Sequence, residues 1–171
     1  MPLVRNEKIT ADDFVRVADD AAIPEGGNIL IPVSRFLEDA EAVLQRDGKV
    51  GVILPNNRDP DDLEPYLERL ALIALVFPTF RDGRAYSQAR LLRERYGFDG
   101  ELRATGQVLR DQFVFMLRAG FDAFDVRKQA DAEAFGDAAR RYSVFYQPTG
   151  DGRPSALHRR NQLRHSESAR R

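Results

Sequence analysis

Short apolar runs alternate with amphipathic segments along most of the chain, in the pattern expected of strand and helix units. The run Leu72–Phe77 is apolar at every position, which is typical of a strand covered on both faces. Turn signals such as Glu25-Gly26-Gly27 and Asp47-Gly48 precede other runs of this kind. The pattern predicts five strands, at residues 28–33, 50–54, 72–77, 101–104 and 121–126.

Apolar residues recur at helical spacing between these strands. Ser34 offers an N-cap for a helix from about Arg35 to Arg46, and a second helix is expected to begin near Asp61 with three leucines on one face. Further helices are predicted at about 85–96, 109–117 and 130–142.

About five strand–helix units with short links predict an α/β fold with a parallel sheet and right-handed crossovers. Such a sheet is either a doubly wound open sheet or a partial barrel, since five units are too few for a closed eightfold barrel. The open sheet is favoured because nothing in the sequence forces closure. Periodicity alone does not separate the two.

Length and charge predict one folded domain followed by a basic tail. The 171 residues, 43% of them hydrophobic, suit a single core over residues 1–150. Residues 151–171 carry six Arg against one Asp and one Glu, a net charge of +4, with few apolar residues, so this tail is expected to be flexible. The whole chain has a formal charge of −1 and therefore no general attraction for nucleic acid.

Composition also restricts the chemistry and the cellular location. The chain has no cysteine, so it supplies no disulfide, thiolate nucleophile or cysteine ligand to a cluster. The N-terminal residues have no apolar signal-like region, and no run reaches the roughly 20 apolar residues of a membrane span. A cytoplasmic protein is the simplest expectation.

Polar segments follow four of the predicted strands. In parallel α/β folds, ligands bind beyond the carboxyl ends of the strands, so these segments are expected to share one functional edge. They are residues 56–59, 80–84, 105–107 and 127–128.

The segment 77–87 is the leading candidate site because it combines a turn, three charges and three aromatic rings at a strand-to-helix junction. Asp82 can cap the helix, and Gly83 permits close backbone approach. Arg84 lies in the first helical turn, where a positive charge needs a partner. An anionic ligand and an internal carboxylate are equally plausible partners.

Arg103 and Gly106 lie in and after the next predicted strand. An Arg in a central strand needs a buried partner, which Asp111 or Asp82 could supply. The sequence Thr105-Gly106-Gln107 could form a backbone anion site, although a glycine required only by the turn is the favoured interpretation.

Standard catalytic and nucleotide-binding signatures are missing from the sequence. It contains no GxGxxG or Walker-type loop, and its two histidines, His158 and His165, fall in the basic tail. Acid–base chemistry would have to use Asp82, Asp111, Tyr86 or a bound cofactor, and the sequence identifies no cofactor.

The stretch Phe80–Ser87, continued by Ala89–Arg93 and Gly97–Ala104, resembles a bacterial domain-of-unknown-function family, numbered 934. The resemblance extends through Gly120–Phe124 and more loosely covers most of the chain up to Gln147. It implies a small protein encoded beside assimilatory sulfite reductase and described, from that gene neighbourhood, as an oxidoreductase. The family supplies no catalytic residues, so the resemblance offers only motif positions as ligand-binding candidates: Asp82, Gly83, Arg84, Tyr86, Ser87, Arg103, Gly106, Asp111 and Gln112.

The resemblance leads us to expect an accessory protein of assimilatory sulfite reduction, with the reductase as partner and a small anion held at the strand edge. This function requires Arg84, Arg103 and the glycine turns to converge at one rim. One alternative is an oxidoreductase that binds flavin or nicotinamide without a standard fingerprint. Another is a non-catalytic scaffold that binds proteins.

Overall fold

The computed structural model describes residues 2–5, 8–135, 145–146, 149 and 155–168. Eight strands form one sheet in the order β2-β1-β8-β7-β6-β5-β4-β3. The strands are β1 (Leu3–Arg5), β2 (Lys8–Thr10), β3 (Phe14–Arg16), β4 (Asn28–Pro32), β5 (Val50–Leu54), β6 (Leu72–Phe77), β7 (Glu101–Gly106) and β8 (Ala123–Asp125).

Strands β3 to β8 are parallel and lie side by side in chain order, whereas β1 is antiparallel to both β2 and β8. A doubly wound sheet reverses its strand order at a switch point, and this run does not. The α/β class and the parallel sheet are confirmed. Of the two predicted arrangements, the curled half-barrel describes this sheet, and the favoured doubly wound order does not.

The helices begin and end close to the predicted positions but are more irregular. The α-helices are α1 (Val33–Glu38), α2 (Ala40–Gln45), α3 (Arg84–Arg90), α4 (Phe113–Ala119), α5 (Gln129–Glu133) and α6 (Ala156–Ser168). Two 3-10 helices cover Pro60–Arg69 and Arg110–Gln112, and a π-helical turn, Leu91–Arg95, continues α3.

The predicted helix 35–46 is two helices, and Ser34 as its N-cap was wrong. Helix α1 begins directly after Pro32, and Asp39 interrupts the segment with non-helical angles while its side chain accepts a hydrogen bond from the Ala42 amide. The helix expected near Asp61 is a 3-10 helix that contains Pro65, whose ring and missing N–H oppose an α-helix.

Alternate strand residues pack against the helices to form the main core. We call it the outer core, and it includes Ile29, Val52, Ile73 and Leu102 of the strands and Phe36 of α1. The opposite face carries a small apolar cluster of Leu30, Leu72 and Ala74, with Phe14 and Ile53 against it. Right-handed crossovers between strands in sequential order place the helices on one face, which leaves the other face concave.

A contact between β3 and β8 shows how strongly the sheet curls. The Arg16 guanidinium forms an ion pair with Asp125 although four strands lie between them in the sheet. In a flat sheet, five strand spacings would separate these strands by about 24 Å, far beyond the reach of an Arg side chain.

The two ends of the chain differ from the sequence prediction in separate ways. Strands β1, β2 and β3 were not predicted. Helix α5 covers the start of the predicted helix 130–142, and residues 136–142 lie outside the described part. The basic tail contains α6, and its flexibility stays a prediction. Among the described helices, none has the length and apolar character needed to cross a membrane.

Candidate functional site

The four polar segments predicted to share an edge do so. They follow β5, β6, β7 and β8, which are adjacent parallel strands, so all four lie at the carboxyl ends of the sheet. We call this side of the molecule the carboxyl edge. The next question is which of the nine candidate residues it brings together.

Arg84 at the start of α3 is paired with an internal carboxylate. Its Nε and Nη2 atoms donate to the two oxygens of Asp82 at 3.0 and 2.7 Å, and its backbone amide donates to the same carboxylate at 3.3 Å. The hydrogen bonds from Arg84 hold the pKa of Asp82 well below its ordinary value, against an opposing effect of desolvation. Arg84 therefore does not need an anionic ligand to balance its charge, although its side chain is 59% exposed.

Asn56, in the loop after β5, lies beside this ion pair. Its side chain contributes to lowering the pKa of Asp82, yet its buried Nδ2 atom has no hydrogen bond of good geometry in the described part of the protein. We read this as a close polar contact rather than a formed hydrogen bond.

Buried Gln88 of α3 fixes the loop after β5 against the helix. Its Nε2 atom donates to the carbonyl oxygens of Pro55 at 2.9 Å and Arg58 at 2.7 Å. Its buried Oε1 atom has no partner among the described residues. Ser87, the preceding residue, is exposed.

Tyr86 connects α3 to the aromatic core and to the loop after β7. Its ring meets Phe77 and Phe121 edge-on, with centroids 5.2 and 6.4 Å apart. Burial, with a smaller contribution from the negative charge of Asp111, raises the pKa of Tyr86 to about 12. Tyr86 and Asp111 are therefore neighbours, and the phenol remains protonated at neutral pH.

Hydrogen bonds between glutamine side chains and the backbone join the loops after β6 and β7. Gln112 Nε2 donates to the Phe80 carbonyl at 3.2 Å, and the Phe80 amide donates to Gln107 Oε1 at 3.3 Å. Gly106 has a φ of +94°, and a Cβ there would overlap the Phe77 carbonyl oxygen. The Gln107 amide donates to that same carbonyl at 2.8 Å, so it is not free for an anion. The turn geometry alone accounts for Gly106.

Arg103 lies on the concave face and not beside Arg84. Its side chain is fully buried, and its partners are Asp12, at 2.7 and 3.1 Å, and Glu101, at 2.8 Å. The expectation that Asp111 or Asp82 would pair with Arg103 was wrong, because alternate residues of a strand point to opposite faces. The expected convergence of Arg84 and Arg103 at one rim is not found.

Sequence reasoning missed a second polar cluster, at the carboxyl end of the concave face. Arg16 of β3 donates from Nη2 to Thr105 Oγ1 at 3.2 Å and forms a close ion pair with Asp125. Both partners are buried. The alternation of polar residues at 101, 103 and 105 signals a polar face on β7, but nothing in the sequence indicates that β3 lies opposite it.

Several exposed cations at the carboxyl edge have no acidic partner within the described ranges. Arg81 stacks on the ring of Phe80 with its guanidinium carbon 5.4 Å from the centroid. The others follow β7 and β8: Arg110, Arg127 and Lys128. No group of acidic and histidine side chains in the described residues is arranged to hold a metal ion.

Comparison with known proteins gives a family and no curated relative. A search of curated proteins found no match to the chain. The family model described as "Bacterial protein of unknown function (DUF934)" matches residues 51–157, well over half of the chain. The matched segment includes the Asp82–Arg84 loop, Tyr86 and the loop after β7, whereas Asp12 and Arg16 precede it. This chain is therefore a member of the bacterial DUF934 family.

Proposed function

We propose that the protein is an accessory component of assimilatory sulfite reduction that binds a small oxyanion at its carboxyl edge, through cations other than the predicted pair of Arg84 and Arg103, which do not converge. The sulfite context rests on the family resemblance. The observation that supports anion binding is the group of exposed cations, Arg81, Arg110, Arg127 and Lys128, which lack acidic partners in the described part of the chain. Guanidinium groups bind oxyanions through paired, charge-assisted hydrogen bonds.

Within this proposal, the residues of the family motif order the edge instead of reacting. Asp82 neutralises Arg84, Gln112 joins the two loops, and the raised pKa of Tyr86 keeps its hydroxyl a neutral donor or acceptor. The chain has no cysteine to carry electrons. An oxidoreductase role would therefore require a bound redox cofactor, whose site the described residues do not identify.

Binding of sulfite and sulfate to purified protein tests the anion site. We expect saturable binding by calorimetry that weakens several-fold in an Arg81→Ala, Arg127→Ala double variant. Arg69→Ala is the matched control, because Arg69 is also exposed but ends the 3-10 helix at the opposite edge of the sheet. Equal affinity in all three proteins would refute an anion site made by these cations.

Growth tests the sulfite context separately. Deleting the gene should impair growth on sulfate but not on cysteine or sulfide. Equal growth on all three sulfur sources would remove assimilatory sulfite reduction from the proposal, even if the purified protein binds anions.

A protein-interaction scaffold is the second candidate, favoured by apolar side chains exposed near the same edge. Phe80 is 48% exposed and Leu109 is 40% exposed, on the two loops that Gln112 joins. Affinity purification from cells grown on sulfate, with sulfite reductase as the named partner, separates the two functions. A scaffold should lose the reductase in Phe80→Ser but keep it in the Arg81→Ala, Arg127→Ala variant.

A further inference from the structure

The concave face of the sheet is closed at its amino end and open at its carboxyl end. At the amino end Leu30, Leu72 and Ala74 are fully buried, and the Arg103–Asp12 ion pair lies across the curl. At the carboxyl end the next inward residues along β4, β5 and β6, which are Pro32, Ile53 and Val76, are only partly buried. We call this open end of the concave face the mouth.

Arg16 presents unused hydrogen-bond donors at the mouth. Within the described residues, the Arg16 side chain donates two hydrogen bonds, to Thr105 and Asp125, and both come from Nη2. A guanidinium has five N–H groups, so the three on Nε and Nη1 have no partner within the described residues. The side chain is 45% exposed, which leaves these donors accessible to a ligand.

The partners of Arg16 hold it in a defined position. Asp125 and Thr105 are 4% and 5% exposed, on the adjacent strands β8 and β7. A buried carboxylate restricts the guanidinium more than a surface partner does, because its own position is fixed by packing. An oxyanion that approaches the mouth thus meets an ordered donor, Nη1 of Arg16, and less side-chain entropy is lost on binding.

The opposite wall of the mouth is apolar. The register pairs Pro32 with Ile53, and Val76 with Thr105, so these residues form a continuous surface facing the same side as Arg16 and Thr105. Small-molecule sites commonly combine an apolar wall with a few polar groups that fix orientation. A bare inorganic anion would leave this wall in contact with water.

We propose that the mouth binds a small organic anion, with its carboxylate or other oxyanion on Nη1 of Arg16 and its apolar body against Pro32, Ile53 and Val76. This site goes beyond the inorganic anion of the proposed function and uses different residues. Most of it lies within the matched family segment, while Arg16 and Pro32 come from the part of the chain before it.

Titration with benzoate, acetate and sulfate, followed by backbone amide signals in NMR, tests the site. We expect the amides of Val76, Thr105 and Asp125 to shift in a saturable way, with benzoate about tenfold tighter than acetate because its ring covers apolar surface. Arg16→Ala should weaken benzoate binding about tenfold, since it removes a charge-assisted hydrogen bond.

Two further variants keep the test decisive. Arg16→Lys retains a positive charge beside Asp125, but its single nitrogen is held by Asp125 and Thr105 and no second nitrogen replaces Nη1. It should therefore fold normally and still bind benzoate several-fold more weakly. Arg69→Ala, at the opposite edge of the sheet, should leave benzoate binding unchanged. No saturable shift with any of the three anions, or equal benzoate affinity in wild type and Arg16→Lys, would overturn the proposal. Weakening by Arg81→Ala alone would overturn it too, while supporting the carboxyl-edge site.

Discussion

Replacing Arg103 with Ala should destabilise the protein more than removing any exposed Arg. All three guanidinium nitrogens donate to carboxylates, and the group lies 5.8 Å from the centre of the Phe14 ring. Burial by itself lowers the pKa of Arg103, but the Asp12 and Glu101 carboxylates outweigh burial and raise it above the ordinary value. Arg103 is therefore a charged group that binds Asp12 across the curl of the sheet and Glu101 on its own strand.

The magnitude follows from what the substitution leaves behind. Removing one partner of a buried ion pair typically costs about 3–5 kcal/mol, because the other charge stays buried without compensation. Here Glu101 keeps an ion pair with Arg5 at 2.7 Å, and the Asp12 side chain is 28% exposed and partly hydrated. Both features place the expected loss in the free energy of unfolding near the lower end of this range, at about 3 kcal/mol.

Urea unfolding measured by circular dichroism gives this quantity, with an unchanged m-value as the sign that two-state behaviour persists. Arg69→Ala is the control, since Arg69 pairs with exposed Glu41 and should cost less than about 1 kcal/mol. Arg103→Met keeps much of the side-chain volume and should still cost about 2 kcal/mol. A loss in Arg103→Ala no larger than in Arg69→Ala would refute the idea that this ion pair holds the curl.

Three further predictions concern the carboxyl edge. Gly106→Ala should lower the free energy of unfolding in urea by at least about 2 kcal/mol, because of its positive φ and the nearby carbonyl. Gly83→Ala should be nearly neutral, because Gly83 has a φ of −87° and a Cβ there would make only an ordinary contact with the Tyr86 ring, at 3.6 Å. The pKa of Asp82 is lowered in the folded protein, so the stabilisation from its ionised form is present above the unfolded pKa of about 4 and is lost as the pH falls through the folded pKa. NMR of the Asp82 carboxyl should give a titration midpoint below the ordinary range for Asp. Arg84→Ala should raise that midpoint. Burial raises the pKa of Tyr86 to about 12, so its contribution to the free energy of unfolding is complete below about pH 10 and is lost as the pH rises through 12. An NMR titration midpoint near 10 for this phenol would contradict its burial.

The strands β4 to β6 could be predicted because each is a compact apolar run beside a turn signal, whereas β7 was predicted as the segment left between two helices. The outer core also followed from helical spacing, since Leu63 and Leu67 are buried as expected even though their helix is 3-10. The choice between open sheet and half-barrel could not be predicted. It depends on contacts such as Arg16 with Asp125, between residues far apart in the sequence.

The candidate site was predicted in part for the same reason. Asp82, Tyr86 and Gln112 lie at one edge because strand ends are a local property of each strand–helix unit. Arg103 was misplaced because its face depends on alternation within β7, and its partner Asp12 comes from a segment whose short strands have no clear pattern. The concave face therefore became visible only with the coordinates.

Pairing of β1 with β8 also constrains how the chain folds on the ribosome. Strand β1 can pair with β8 only after β8 has been synthesised. Synthesis to that point takes roughly 6 to 25 s at about 5–20 residues per second. During that interval the parallel strands can assemble in order from β3, while the leading hairpin waits without a partner. Docking of this hairpin is the closing event of domain assembly, so an N-terminal fusion should slow that late step and leave the earlier ones unaffected.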